Sequence, residues 1–189
     1  MTPSPDTAPA GAPAPVAAPV AFATLKIRVS ALVYCGDEVA LIRRDRPGSV
    51  HYSTPGGNVE PGEDLRDALA RELAEELGLD VGQADGGELV WTVDQRVSRP
   101  GPTPPPRKLH LIHRLRVTPA VREGLATVEY DELPDGGHEA GHIVWIDHRA
   151  TAHLPLFPPI GPHLAHLGPY DPVTDAALPA VTDATYRWV

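Results

Sequence analysis

Short hydrophobic runs, several of them alternating with polar residues, recur along the chain. Their spacing and their content of β-branched residues predict strands at residues 25–34, 39–43, 88–97, 108–118 and 143–146. Gly36 and Asp37 separate the first two runs and predict the turn of a hairpin. Residues 99–107 are rich in proline and predict a surface loop, because proline cannot donate to the hydrogen-bond ladder of a sheet.

A different period appears from residue 64 to residue 77. This stretch contains neither proline nor glycine, and leucine recurs every four residues at positions 65, 69, 73 and 77. Such a stripe predicts an amphipathic helix, and Gly78 is typical of the residue that ends one. Residues 162–167 predict a weaker helix that opens on Pro162. Strands interleaved with one strong and one weak helix predict an α/β fold around a mixed sheet.

Three carboxylates lie close together on the strong helix. Glu72, Glu75 and Glu76 stand at i, i+3 and i+4, so their side chains share a narrow strip beside the leucines. Like charges at this spacing repel one another, and the position of Glu76 nearest the leucines makes its charge still less favourable. A divalent cation would offset this repulsion. Mg²⁺ is commonly held by one or two carboxylates together with the phosphates of its substrate.

The spacing around these glutamates resembles the signature of the Nudix hydrolases at every defined position. Gly57 is followed after five residues by Glu63, and Glu63 after seven residues by the run Arg71-Glu72-Leu73-Ala74-Glu75-Glu76-Leu77-Gly78-Leu79. The resemblance implies an α/β/α sandwich with a mixed β-sheet over residues 22–168. It also implies that metal-activated water cleaves a pyrophosphate bond in a nucleoside diphosphate linked to another group.

The resemblance also implies roles for individual residues. The implied ligands of Mg²⁺ or Mn²⁺ are Glu72, Glu75, Glu76 and the carbonyl of Gly56. Arg71 and Glu63 match the supporting pair of the family, in which the arginine orients a carboxylate. A plain helix ion pair of Arg71 with Asp67 or Glu75 is an alternative that does not exclude this role.

A fourth carboxylate is expected from a loop well after the motif, as a metal ligand or general base. Glu139, which precedes Trp145 by six residues, is the first candidate and Glu129 the second. The predicted catalytic residues are Glu63, Arg71, Glu72, Glu76 and Glu139. Arg44, at the end of the second predicted strand, resembles a phosphate-contacting arginine of some members. Tyr34, Tyr52 and Trp91 are candidates to stack on a base, although such residues are more often part of the core.

A second motif has the spelling of a zinc-protease site. Residues 138–142 read His-Glu-Ala-Gly-His, which matches the pattern H-E-x-x-H. That pattern binds zinc only on a helix, where both histidines share a face. Here Gly136 and Gly137 precede it, Gly141 lies inside it, and a β-rich run follows. We therefore expect no zinc proteolysis.

Composition limits the organisation of the chain. The 189 residues fit one domain, expected at 22–168, with a tail or flap at 169–189. Residues 1–21 contain six prolines and one charged side chain, which predicts a disordered tail and not a secretory leader. The single cysteine, Cys35, excludes an intramolecular disulfide and is expected to be a half-buried strand residue. A cytoplasmic location follows as an expectation.

Charge indicates the kind of partner. The formal net charge is -9, which argues against binding of a nucleic-acid polymer. Residues 57–79 hold seven acids and two bases, so their net charge is -5 and over half of the total lies in the motif. Basic residues lie elsewhere, among them Lys26, Arg28, Arg44, Arg107 and Lys108. An anionic substrate could use some of them, whereas most are expected to be solvated side chains on the faces of strands. No apolar run approaches the ~20 residues of a membrane span, so no membrane partner is expected.

A small-molecule nucleotide is the expected partner, and a homodimer is left open. Nucleoside triphosphates, including damaged ones, are favoured slightly over nucleotide sugars as substrates. The alternative from another class is a Nudix-fold nucleotide-binding or regulatory protein without catalysis. Such proteins usually lose motif glutamates, and all of them are present here, which favours an enzyme.

Overall fold

A computed structural model describes residues 24–98, 104–132 and 136–186. The predicted tail at 1–21 and most of the proline-rich loop lie outside these residues. The strands are β1 Leu25–Cys35, β2 Glu38–Arg46, β3 Ser49–Ser53, β4 Gly56–Asn58, β5 Asp85–Arg96, β6 Arg107–Arg116, β7 Val128–Glu132, β8 His138–Asp147, β9 Leu156–Phe157 and β10 Val181–Thr182. The helices are α1 Leu65–Leu77, α2 Pro119–Glu123 and α3 Gly161–Leu164, with 3₁₀ turns at Val81–Gln83 and His148–His153.

Helix α1 forms where the leucine repeat predicts it. Asp64 caps its first turn by accepting a hydrogen bond from the backbone N–H of Arg66, so the helix proper begins one residue later than predicted. Gly78 ends it in the left-handed conformation, with φ of 66°. Leu69, Leu73 and Leu77 are buried, whereas Leu65 is 40% exposed at the first turn. The stripe therefore holds the helix on the sheet from its second turn onward.

The described strands form one mixed sheet in the order β10-β5-β6-β1-β2-β3-β9, with β8 paired to β2 and β7 to β8. Strand β1 runs parallel to β6 from Leu25 to Tyr34. On its other side β1 changes partner, because Arg28–Ser30 pair with β4 and Tyr34–Cys35 pair with β2. This change of partner brings the glycine loop of β4 to the centre of the sheet.

Helices cover both faces of the sheet. Leu69, Leu73 and Leu77 of α1 pack with Val29 and Val33 on one face. Leu32 and Tyr34, which alternate with those valines along β1, pack on the other face with Leu164 of α3. The fold is thus the expected α/β/α sandwich with a mixed β-sheet.

The alternation of residues 108–118 predicts a half-buried strand, with His110 and Arg114 on its more polar side. In strand β6 these two residues are only 1% and 6% exposed. The second helical layer and the segment after it cover that side. Arg114 Nη1 donates to the carbonyl oxygens of Gly168 and Asp171 at 3.0 and 2.8 Å. His110 Nε2 lies 2.8 Å from Gln95 Oε1, so this buried imidazole also has a hydrogen-bond partner.

The segment that the sequence places in a tail or flap contacts the sheet at several points. Val181 and Thr182 of β10 pair in parallel with Gln95 and Arg96 of β5. Further back, the backbone N–H of Thr92 donates to the carbonyl of Ala176 at 2.7 Å. Among the described residues, no helix has the length and apolar character needed to cross a membrane.

Candidate active site

Glu76 and Glu72 face the backbone of β4. The N–H of Gly56 donates to Glu76 Oε2 at 2.6 Å. Glu72 lies over Gly57 so closely that a Cβ there would come within 1.9 Å of Glu72 Oε1. Only glycine leaves room for this approach, which gives Gly57 of the motif a steric role beside the helix.

Burial makes both carboxylates difficult to ionise. It raises the pKa of Glu76 to about 8, against the lowering effects of the Gly56 N–H and of Arg28. Glu129 and Glu72 raise it further through their own charges. The pKa of Glu72 is also raised, first by burial, although Arg71 and Arg28 oppose the shift. The site thus holds partly buried carboxylates whose charge a divalent cation would stabilise.

Glu75 lies outside this contact. Its side chain is 60% exposed, and Glu75 Oε2 lies 3.3 Å from Arg71 Nη1. Within the described part of the chain, no three His, Cys, Asp or Glu side chains converge into a group that would hold a metal by themselves. The available donors are two carboxylates, Glu72 and Glu76, and the carbonyl of Gly56. This set fits Mg²⁺ or Mn²⁺, which accept oxygen ligands and complete their coordination with water and substrate phosphates.

Arg71 ties the helix to the loop before it. It forms a bidentate pair with Glu63, with distances of 2.8 Å from Nε to Oε1 and 3.0 Å from Nη2 to Oε2. The same Nη2 donates to the carbonyl of Asn58 at 3.1 Å, and Nη1 reaches Glu72 Oε1 at 3.0 Å. The hydrogen bonds from Arg71 lower the pKa of Glu63 to about 2, so this carboxylate remains ionised. The supporting contact and the helix pair with Glu75 are therefore both present.

The two candidates for the fourth carboxylate lie in different surroundings. Glu129 of β7 is 6% exposed, pairs with Arg44, and is close enough to Glu76 to raise its pKa. Glu139 of β8 is held by Arg46, with distances of 2.6 Å to Oε1 and 2.7 Å to Oε2. The structure thus places Glu129 beside the helix carboxylates and Glu139 with an exposed arginine. Both remain predicted site residues.

The look-alike zinc motif lies on strand β8 and not on a helix. His138 and His142 are exposed and four residues apart, which separates them by about 13 Å along a strand. Gly141 inside the motif is paired across the sheet with Glu129. A Cβ at position 141 would come within 2.1 Å of Glu129 Oε1. This glycine therefore makes room for the buried carboxylate.

A cavity of about 400 Å³ opens at the helix carboxylates and the backbone of β4. It is lined by Glu72, Glu76, Gly56 and Gly57 and also by the cations Arg28, Arg44 and Lys108. Arg44 Nη2 also pairs with Asp131 Oδ2 at 2.5 Å. Carboxylates and cations on the walls of one cavity suit a polyanion that arrives with a metal.

The aromatic candidates do not line this cavity. Tyr34 and Trp91 are buried in the core, and the hydroxyl of Tyr34 donates to the carbonyl of Leu167 at 2.5 Å. Tyr52 is half-buried and packs against the same core. Among the described residues, the aromatic rings that line the cavity are those of Phe157 and His110, which meet edge-on with 6.0 Å between their centroids. Phe157 belongs to the two-residue strand β9, which is too short to give a periodic signal in the sequence.

A model of the NUDIX domain matches residues 24–167, which make up most of the chain. The chain therefore belongs to the NUDIX domain family. The match covers strands β1 to β9 and helix α1, which carry the site described above.

Two relatives share part of the sequence. The chain is 43% identical over 67 residues to "Putative 8-oxo-dGTP diphosphatase 2" of Mycobacterium tuberculosis, which covers 34% of this chain and 48% of that protein. It is 48% identical over 50 residues to the NAD-capped RNA hydrolase NudC of Stutzerimonas stutzeri, which covers 26% of this chain and 18% of that protein. The matched segment thus spans about half of the first relative and less of the second.

Solved structures show the same fold at low identity. The MutT protein of Bacillus halodurans superposes with a TM-score of 0.50 at 19% identity, covering 83% of this chain and 88% of that chain. The MutT protein of Methanosarcina mazei Go1 also gives 0.50 at 18% identity, covering 76% and 92%. These likenesses concern the fold alone.

Proposed function

We propose that the chain is a metal-dependent pyrophosphohydrolase that cleaves a nucleoside diphosphate linked to another group. The observation that carries this proposal is the placement of Glu72 and Glu76 against the Gly56-Gly57 backbone, inside a cavity that also holds Arg28 and Arg44. Membership of the NUDIX domain family supports it. Every glutamate of the motif is present, which favours the enzyme over a non-catalytic binding protein.

When bound, Mg²⁺ or Mn²⁺ supplies an activated water and neutralises charge on phosphate oxygens. Glu72, Glu76 and the carbonyl of Gly56 are the groups proposed to hold it. Arg71 and Glu63 keep Glu72 and the β4 loop in register, because the guanidinium bonds to both. Glu75 joins this set only if its exposed side chain turns away from Arg71.

Glu129 is proposed to accept the proton of the attacking water. Burial raises its pKa, which brings it nearer the pH at which a carboxylate acts well as a base. Arg44 pairs with it and also lines the cavity, so this arginine is placed to contact both the base and a phosphate. Glu139 pairs with Arg46 and lies 3.7 Å from Arg44 Nε, which supports a role in orienting Arg44.

The proposed substrates are nucleoside triphosphates, including oxidised ones, ahead of nucleotide sugars. The resemblance to a protein named as an 8-oxo-dGTP diphosphatase supports the first class. The relative named as an NAD-capped RNA hydrolase makes a dinucleotide or a capped RNA end a second candidate. A cytoplasmic location is proposed with either.

A panel of substrates tests this function. The full chain is incubated with 8-oxo-dGTP, the four common dNTPs, ADP-ribose, a nucleotide sugar and NAD, each with Mg²⁺ and then with Mn²⁺. We expect a nucleoside monophosphate and pyrophosphate from the preferred triphosphate. Tight binding of a nucleotide without any product would instead favour the non-catalytic alternative. Cleavage of NAD in preference to the triphosphates would move the substrate to the second class.

A further inference from the structure

Arg28 is a cavity residue that lies outside the helix motif. It is half-buried on β1 and lines the cavity beside Glu72 and Glu76. Its Nη2 donates a hydrogen bond to the carbonyl oxygen of Gly56. That carbonyl is one of the groups proposed to bind the metal, so a guanidinium and a divalent cation have the same acceptor.

The charge of Arg28 also acts on the other two proposed ligands. It favours the ionised forms of both Glu72 and Glu76, lowering the pKa of each against the larger effect of burial. Arg28 thus interacts with all three groups that are proposed to hold the metal. Because two cations at one acceptor repel one another, the contact with Gly56 and a bound divalent ion oppose each other.

A phosphate in the cavity would be a second partner for the guanidinium of Arg28. Arg44 and Lys108 line the cavity as well, so its positive charge attracts phosphate. An arginine fork matches the geometry of phosphate oxygens, and its long stem allows the guanidinium to move while the strand stays fixed. The backbone of Arg28 is fixed by pairing with Asn58 of β4 and His110 of β6.

We propose that Arg28 exchanges partners during binding. In the metal-free protein it takes the place of the metal at the carbonyl of Gly56, and when the metal binds it turns to a phosphate oxygen of the nucleotide. This inference rests on the proposed function, since it requires both a divalent ion and a phosphorylated ligand at this site. It makes Arg28 a binding residue that links the two affinities.

The exchange predicts opposite effects of one substitution. Arg28→Gln removes the competitor for Gly56, so Mn²⁺ alone is expected to bind on the order of tenfold more tightly. The same substitution removes a phosphate contact, so a non-hydrolysable dGTP analogue is expected to bind on the order of tenfold more weakly at saturating Mn²⁺. Both affinities are measured on the full chain by titration calorimetry, with no turnover involved.

Lys26→Gln is the matched control. Lys26 is exposed and lies two residues earlier on the same face of β1, about 7 Å away. The substitution Lys26→Gln removes one positive charge but leaves the contact of Arg28 with Gly56, so less than about a twofold change is expected in either affinity. If both variants bound Mn²⁺ more tightly by the same factor, the loss of charge alone would explain the change, and the proposed exchange would be overturned.

Other outcomes are equally decisive. Mn²⁺ affinity within twofold of wild type in Arg28→Gln overturns the competition, and an unchanged affinity for the analogue overturns the phosphate contact. If melting curves show that Arg28→Gln is unfolded, Arg28→Lys replaces it, because lysine keeps the charge but lacks the guanidinium. Both affinities are then expected to shift in the same directions as for Arg28→Gln, by smaller factors. A wild-type protein that binds no Mn²⁺ at millimolar concentration contradicts the proposed function itself, whereas binding without any effect of Arg28 contradicts this inference alone.

Discussion

At the scale of single residues, the surroundings of a carboxylate distinguish two candidates for one role that the sequence alone leaves nearly equivalent. Glu129 and Glu139 both follow the motif at similar distances, and spacing alone favoured Glu139. In the structure, Glu129 is buried near Glu76, whereas Glu139 forms an ion pair with Arg46. Gly141 explains the burial of Glu129, because its lack of a side chain leaves room for that carboxylate. The sequence does not show this, because the role of Gly141 depends on the pairing of β7 with β8.

Substitution of each candidate distinguishes their roles. Glu129→Gln is expected to lower kcat by roughly 10- to 1,000-fold, because it removes the proposed base while keeping the shape of the side chain. Glu139→Gln is expected to change kcat by less than about tenfold, since it weakens the pair with the exposed Arg46 and a longer contact of 3.7 Å with Arg44. Both variants are assayed on the substrate that the panel identifies, with a melting curve for each. The reverse ranking would return the role of base to Glu139.

At the scale of elements, the helix was predictable because its signals are local. A leucine every four residues, a capping aspartate and a terminating glycine determine α1 within one stretch of chain. Strands β3, β4, β7, β9 and β10 were missed because they have two to five residues and owe their conformation to their neighbours. Strand β4 consists of Gly56, Gly57 and Asn58, which have low strand propensity, yet it supplies the backbone of the site.

The contact of Glu72 and Glu76 with the backbone of β4 predicts how metal acts on stability. Mg²⁺ or Mn²⁺ at about a hundredfold over its dissociation constant is expected to stabilise the fold by about 2.7 kcal/mol, which is roughly 5–10 °C in Tm. Glu76→Gln is expected to lose this gain without lowering Tm in the absence of metal, because the carboxyl is buried at a cost. Asp67→Asn, an exposed acid on the same helix, serves as control and is expected to keep the gain. Differential scanning calorimetry with and without metal measures all three proteins, and an equal gain in Glu76→Gln would remove Glu76 from the metal site.

At the scale of the whole molecule, the sequence predicted the class of fold but not how its last segment is used. Burial of Arg114 depends on this segment, since the carbonyl of Asp171 accepts one of its hydrogen bonds. Tyr186 packs at 5.0 Å from Phe157, which lines the cavity. Such contacts are long-range and have no periodic signal, so composition alone assigned the segment to a tail or flap. Because the segment contacts both the core and the cavity, its removal is expected to affect both stability and substrate binding.

Truncation after Gly168 is expected to lower Tm by about 5–10 °C, because Arg114 and the edge of β5 lose buried hydrogen-bond partners. It is also expected to raise KM several-fold with kcat little changed, since Phe157 loses its support while the carboxylates of α1 and β7 keep theirs. Tyr170→Ser changes a side chain in the same segment that is 80% exposed, and it is expected to leave both values near wild type. Calorimetry and steady-state kinetics on the three proteins give both readings. If the truncated chain keeps its Tm and KM, the segment is a tail that does not support the domain. If kcat falls while KM stays constant, the segment supports the catalytic groups and not the wall of the cavity.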